Sequence, residues 1–240
     1  INLSSGAELS MPALVETSGG TWTWPPPGPT RAITAIDVPN LIAMNAVVLN
    51  LASDGVLNAP ALSSFTGSSV ALAPGRTFTV APLVNIDNSR IAVSGAMTWA
   101  GLAPAASTYS STLLSSCCGP YTLFSASGPS VLDLSPLTQI NAGFNDFNGN
   151  INVHRIEALA GGHVDLGNVD TIVAPVRGED RLDIVTGSGG TIDFSSLANI
   201  SSSGGSVRFV TQDSGTVSLP ALAGVDHDVA RLDHAVLGVD

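Results

Sequence analysis

A ten-residue stretch, Thr216-Val217-Ser218-Leu219-Pro220-Ala221-Leu222-Ala223-Gly224-Val225, constrains the whole chain, because the chain keeps rewriting it. The pattern is apolar, small polar, apolar, then a breaker. A Leu follows three residues after the second apolar position, and another apolar residue three beyond that. It returns as Ile192-Asp193-Phe194-Ser195-Ser196-Leu197-Ala198-Asn199-Ile200 and as Leu132-Asp133-Leu134-Ser135-Pro136-Leu137-Thr138-Gln139-Ile140. Aligned on the first apolar residue, instances begin at Leu9, Ile36, Leu57, Phe78, Met97, Leu132, Val164, Ile192 and Val217, from 19 to 35 residues apart. A repeat unit this short cannot bury an apolar face alone and must stack on its neighbours. The uneven spacing suits units that share a core section and differ in their loops.

A second signal precedes the motif. A short apolar stretch ends in a Gly-bearing turn, as in Ile1-Asn2-Leu3 before Ser5-Gly6 and Val48-Leu49-Asn50-Leu51 before Asp54-Gly55. Ile91-Ala92-Val93, Ile151-Asn152-Val153, Leu182-Asp183-Ile184-Val185 and Val207-Arg208-Phe209-Val210 precede Gly95, Gly161, Gly189 and Gly215. Both segments alternate with period 2, the mark of a strand with one buried face. Helical periodicity is absent. Each unit thus reads as a strand, a Gly corner, a second strand, a breaker corner and a third short side. Pro fills the breaker at Pro12, Pro39, Pro60 and Pro220, where a residue without an N–H ends a ladder.

Stacking places equivalent positions one strand spacing apart, about 4.8 Å. The inward column of the second strand is predicted as Met11, Val38, Ala59, Val80, Trp99, Leu134, Leu166, Phe194 and Leu219. The outward column is Ser10, Asp37, Asn58, Thr79, Thr98, Asp133, Asp165, Asp193 and Ser218. One list is wholly apolar and the other wholly small and polar. The Leu after each breaker, from Leu14 and Leu41 to Leu197 and Leu222, should turn back inward.

These units resemble those of parallel β-helices. They also resemble the leucine-rich-like repeats of receptor L-type domains, in which a Pro-x-Leu segment precedes an apolar residue and a Gly-rich turn. The leucine-rich-repeat Asn, expected after the Leu-x-Leu step, is missing from most units, which favours the β-helix over a horseshoe. The expected fold is an all-β, single-domain parallel β-solenoid over 1–240, with about nine irregular coils. Two loop insertions are expected, at about 18–31 and 105–127. The first holds Trp22, Trp24 and a proline run; the second holds Tyr109, Cys117, Cys118 and Tyr121.

Composition narrows the function. Charged residues are 11% of the chain, well under the usual quarter or so, yet 44% are hydrophobic, which excludes simple disorder. The formal net charge is −11 and all eight basic residues are Arg, so phosphate backbones are unexpected partners. No apolar run is long enough to span a membrane as a helix.

Candidate chemistry is sparse. Asp37, Asp133, Asp165 and Asp193 share the outward column, where carboxylates could serve a polysaccharide lyase or glycosidase, with or without Ca²⁺. The same column alternates them with Ser, Thr and Asn, as a solvated face would. Asp226-His227-Asp228 and His234 could bind a metal or cap the last coil. His154 and His163 stand alone and read as structural. Trp22 and Trp24 point the same way if extended, either to stack on sugar rings or to cover the first coil. Adjacent Cys117 and Cys118 form either a strained loop lock or two free thiols. No cofactor or metal is expected, and the candidate ligand-binding residues are Trp22, Trp24, Tyr109 and Tyr121.

The apolar segments at both ends lack an evident cap and point to excision from a longer array or head-to-tail stacking into a fibre. Absence of Lys, a common edge blocker, leans the same way. The expected function is a non-enzymatic extracellular or cell-surface module, structural or adhesive and of bacterial type. Its partners would be copies of itself or neighbouring segments of a longer chain, with glycans as a further class. The alternative is a carbohydrate-active β-helix, either a lyase or a glycan-binding module.

Overall fold

A computed structural model of the chain describes residues 8–23, 34–51, 53–111, 120–144, 151–202, 204–222 and 230–233. These residues form 25 short strands and no helix. Numbered in chain order, the strands fall on three faces. The long face is one sheet of nine: β3 (Thr21–Thr23), β6 (Val48–Asn50), β9 (Ser69–Leu72), β11 (Arg90–Ser94), β14 (Pro120–Ser127), β17 (Val153–Leu159), β20 (Arg181–Gly187), β23 (Ser206–Thr211) and β25 (Ala230–Asp233).

The second face comes in two sheets. One holds β1 (Glu8–Ser10), β4 (Thr34–Asp37), β7 (Gly55–Ala59) and β10 (Thr77–Val80). The other holds β12 (Thr98–Trp99), β15 (Val131–Asp133), β18 (His163–Asp165), β21 (Thr191–Asp193) and β24 (Thr216–Ser218). The third face is split likewise. Its parts are β2 (Glu16–Ser18), β5 (Ala43–Asn45) and β8 (Ser64–Thr66), then β13 (Thr108–Ser110), β16 (Gln139–Asn141), β19 (Thr171–Val173) and β22 (Asn199–Ser201).

Every pairing is parallel. Parallel neighbours need a crossover between them. Here the crossover is a visit to the other two faces, since the chain takes the second, third and long faces in turn. That is the strand arrangement of a parallel β-solenoid, with sheets that stay open.

The side-chain columns explain why. On the second face Leu9, Ile36, Leu57 and Phe78 are in register, as are Leu132, Val164, Ile192 and Val217. The amides of Leu134, Leu166 and Phe194 donate to the carbonyls of Asp165, Asp193 and Ser218, so the second apolar column is stacked too. Leu134, Leu166 and Phe194 are fully buried, and Leu219 packs against them at the edge. Burying a Leu or Phe side chain contributes about 1.5–3 kcal/mol, repeated at every level.

The three-residue step to the motif's Leu is a turn. The Leu41, Leu62, Leu137 and Leu197 amides donate to the carbonyls of Val38, Ala59, Leu134 and Phe194. Pro39 and Pro60 occupy the second turn position, where a φ fixed near −65° is already the one required.

Three expectations are corrected. Met97 does not begin the fifth unit: Trp99 pairs with Leu132, two residues later than the motif suggested. A Cβ on Gly101 would lie 2.3 Å from the Trp99 ring, so the indole occupies space that only Gly leaves free. Both short-sided faces are interrupted at this level, and only the long face runs through. The spans 18–31 and 105–127 are not simply loops, since β3 lies in the first and β13 and β14 in the second. The strand before Gly161 is Val153–Leu159 rather than Ile151–Val153. Residues 24–33 and 112–119 lie outside the described residues.

Candidate functional site

The outer surface of the long face collects charges that the sequence scatters. Alternation along β17, β20 and β23 sends Ile156, Ala158, Leu182, Ile184, Val207 and Phe209 inward. It sends Arg155, Glu157, Arg181, Asp183 and Arg208 outward. Arg155, Asp183 and Arg208 stand in register on adjacent strands. Of the eight arginines, Arg90, Arg155, Arg181, Arg208 and Arg231 lie on strands of this face.

Asp183 is the hub. Its side chain is 0% exposed although it points outward, because arginines cover it. Arg208 Nε donates to Asp183 Oδ1 at 3.0 Å and the Arg208 terminal nitrogen Nη2 to Oδ2 at 2.7 Å. Arg181 Nε adds a bond to Oδ1 at 3.1 Å. A buried carboxylate needs such partners, and the forked pair is the strongest form.

Arg155 is different. Its Nη1 stands 3.8 Å from Glu157 Oε2, too long for a hydrogen bond, and its buried Nε has no partner. Next to it β14 carries a bulge: Thr122 pairs with Arg155 and Phe124 with Ile156, which leaves Leu123 as the extra residue. Bulges re-aim side chains and often sit beside sites. This one adjoins a cavity of about 250 Å³ lined by Val70, Arg90, Ile91, Ala92, Thr122, Leu123, Ser125 and Glu157. The Arg90 guanidinium lies 4.6 Å from the centroid of the Tyr121 ring, a cation–π arrangement. Chemically, the surface offers guanidinium donors to an acceptor from outside.

The second face is the opposite. Glu8, Asp37, Asp133, Asp165 and Asp193 lie on its strands, with no Arg on those strands. Asp133, Asp165 and Asp193 stack in register on neighbouring strands. Each bends back on its own corner: the amides of Ser135, Gly167 and Ser195 donate to the Oδ1 atoms at 3.0, 2.9 and 2.8 Å. This self-capping is what Asp does in turns, and it explains the residue type without catalysis. Asp37 instead accepts from Asn58 at 2.7 Å. Among the described residues no three His, Cys, Asp or Glu side chains converge as a metal site would require.

The expected ligand-binding residues separate. Trp22 is 3% exposed and paired with Leu49 on the long face, so its ring is part of the core and offers no face to a sugar. Tyr109 is fully buried against Phe124, its hydroxyl donating to Ser89 O at 2.9 Å, and burial pushes its phenol above the ordinary tyrosine range. It too is removed from any surface site. Tyr121 is half-buried beside Arg90. Trp24, Cys117, Cys118, His227 and His234 lie outside the described residues.

The two remaining histidines are built into the fold. His154 is buried, its Nδ1 is 2.6 Å from Ser111 Oγ, and its ring stacks 3.9 Å from Phe144. His163 Nδ1 lies 2.7 Å from Thr191 Oγ1 on the next strand.

Alignment on Gly162, Gly190 and Gly215 would have put Arg155, Asp183 and Arg208 in one column. The motif alone could not, because it describes the second face. Comparison with family models, with curated proteins and with solved structures finds no match for this chain.

Proposed function

We propose that residues 1–240 form one solenoid of about nine coils that works as a non-enzymatic structural or adhesive module, outside the cell or on its surface. Copies of the chain, or neighbouring segments of a longer one, would be its partners, joined coil on coil into a fibre. The observation that carries the reading is the nine-stranded parallel sheet, whose two outermost strands, β3 and β25, each have one strand neighbour among the described residues. Open parallel edges are templates for another chain. The acidic columns serve the corners, which leaves the charge-bearing outer surface as the working part. Negative-stain microscopy and sedimentation of the purified chain test this: end-to-end filaments, or a mass that rises with concentration, are expected. A strictly monomeric chain at every concentration would overturn the self-assembly.

Glycan binding is the second reading, favoured by Tyr121 and Arg90 beside the cavity at the bulge. A glycan array in which Tyr121→Ala abolishes a wild-type signal would establish it; an array blank for the wild type would remove it.

A further inference from the structure

The charged faces match each other in sign and in period. We infer that copies of this chain pack side by side, the arginine row of one long face against the aspartate row of a neighbour's second face. This rests on the self-assembly reading above but adds a different, lateral contact.

The argument starts from spacing. On the long face β17, β20 and β23 are consecutive and carry one arginine each: Arg155, Arg181 and Arg208. On the second face β15, β18 and β21 are consecutive and carry one aspartate each: Asp133, Asp165 and Asp193. Both sets advance by one strand spacing, about 4.8 Å, with Arg181 standing two residues along its strand from the column that Arg155 and Arg208 share with Asp183. Two copies with parallel axes, set at the matching level, place Arg155 and Arg208 opposite Asp133 and Asp193, with Arg181 to one side of Asp165.

Charge state supports the match. The three aspartates use Oδ1 for their corners, which leaves Oδ2 to accept from a partner. Like charges directly opposite on neighbouring strands repel. An arginine row relieves that repulsion, and the aspartates in turn supply acceptors to Arg155, whose 3.8 Å contact with Glu157 is too long for a hydrogen bond. The side chains of Arg155, Arg181 and Arg208 are about one-third exposed, at 30%, 34% and 31%. Asp183 does not oppose the docking, being wholly covered by Arg181 and Arg208. Complementary rows of this kind fix register and speed encounter more than they add raw affinity.

The test is sedimentation velocity on the full chain at about 10 mM and about 1 M salt, between which the screening length falls from about 30 Å to about 3 Å. Two variants accompany it. Asp133→Asn/Asp165→Asn/Asp193→Asn removes the charges and keeps a corner acceptor at each site. Arg155→Gln/Arg181→Gln removes two positive charges and leaves Arg208 on Asp183. Circular dichroism checks that each folds; if one does not, the other and the salt series decide.

The expected result is self-association at low salt, weakened at least tenfold by high salt and at least tenfold by either variant. Association unchanged by salt and by the folded variants overturns the lateral contact and leaves end-to-end assembly standing. A wild-type monomer under all conditions overturns both. A wild-type monomer that binds an anionic polysaccharide through Arg155 assigns the face to an outside partner and equally overturns the inference.

Discussion

The first and second halves of this chain run the same three-face circuit by different local means. Before the level of Trp99, strands on the long face are short: three residues in β3 and β6, four in β9. After it they run to eight, seven, seven and six in β14, β17, β20 and β23. Of the early long-face strands, β3, β6 and β9 carry Thr, Val, Asn, Ser and Ala outward and β11 brings in Arg90; β17, β20 and β23 carry Arg, Asp and Glu. Corners into the long face take positive φ at Gly19, Ala46, Gly67 and Asn88, all in the early half. Corners out of it take positive φ in both halves, at Asp54, Gly75 and Gly95 and later at Gly128, Ala160-Gly161, Ser188-Gly189 and Asp213-Ser214. Interior packing therefore fixes the topology, while corners and outer faces are free to differ.

The corners provide the strongest way to break the equivalence. A Cβ on Gly190 would sit 2.1 Å from the Ala158 carbonyl oxygen and 2.4 Å from its carbon. Neither is a flexible side chain, so the strand must move. Gly190→Ala is expected to cost about 3 kcal/mol or more. Gly67 contrasts with it: the nearest atoms are 3.4 Å or further away, and Ala46, one level earlier, already holds φ 54°. Gly67→Ala should cost about 1–2 kcal/mol, the strain of a left-handed Ala. Urea denaturation of both variants measures the gap. Equal losses would show that corner clearance does not distinguish the halves.

Core truncation should erase the difference. Leu62 and Leu137 hold the same turn position in the two halves, and both are fully buried. Leu62→Ala and Leu137→Ala are each expected to cost about 2–5 kcal/mol, with the two values close together. A large disparity, read from the same denaturation curves, would mean the halves unfold separately.

How much of this was legible follows from period. The columns through Leu57, Leu134, Leu166 and Phe194 could be read because second-face strands alternate without fault and end at a fixed turn. Trp99 could not be placed: its indole needs the space over Gly101, and the resulting two-residue shift leaves no trace in the pattern. The strand in Pro120–Ser127 was hidden by its bulge, since the extra Leu123 puts two apolar residues side by side and breaks alternation. Third-face strands of three residues are too short to show a period. Trp22 and Tyr109 illustrate the limit for sites, because an aromatic in an irregular stretch reads as exposed when its burial depends on strands far away in sequence. Arg155, Asp183 and Arg208 fall in one column only when Gly162, Gly190 and Gly215, rather than the motif, are aligned.

The outer faces supply a smaller test. Arg208→Gln leaves the buried Asp183 with Arg181 as its remaining forked-site neighbour, and a charged hydrogen bond is worth about 1.5–3 kcal/mol. Partial exposure of Arg208 holds the expected loss to about 2 kcal/mol. Asn50, on the exposed outer face of the early half, should tolerate Ala within about 0.5 kcal/mol. Thermal melts of the two variants decide it, and a neutral Arg208→Gln would remove Asp183 as the organising charge of the face.

The smallest effect lies at the seam between the halves, where β13 holds Tyr109. Burial raises the Tyr109 phenol above its unfolded value near pH 10, so the folded chain keeps a proton that the unfolded chain gives up. The associated stability is complete below about pH 10 and falls as pH rises beyond it. Tyr109→Phe removes this group. At pH 7 it should cost about 1 kcal/mol, because the Ser89 carbonyl loses its donor. Above about pH 10 the variant should lose stability less steeply than the wild type, so the two curves converge. Denaturation midpoints measured across that range check the slope. Parallel curves would show that the seam opens before Tyr109 ionises, and would place the weakest level of the stack where the two short-sided faces are broken.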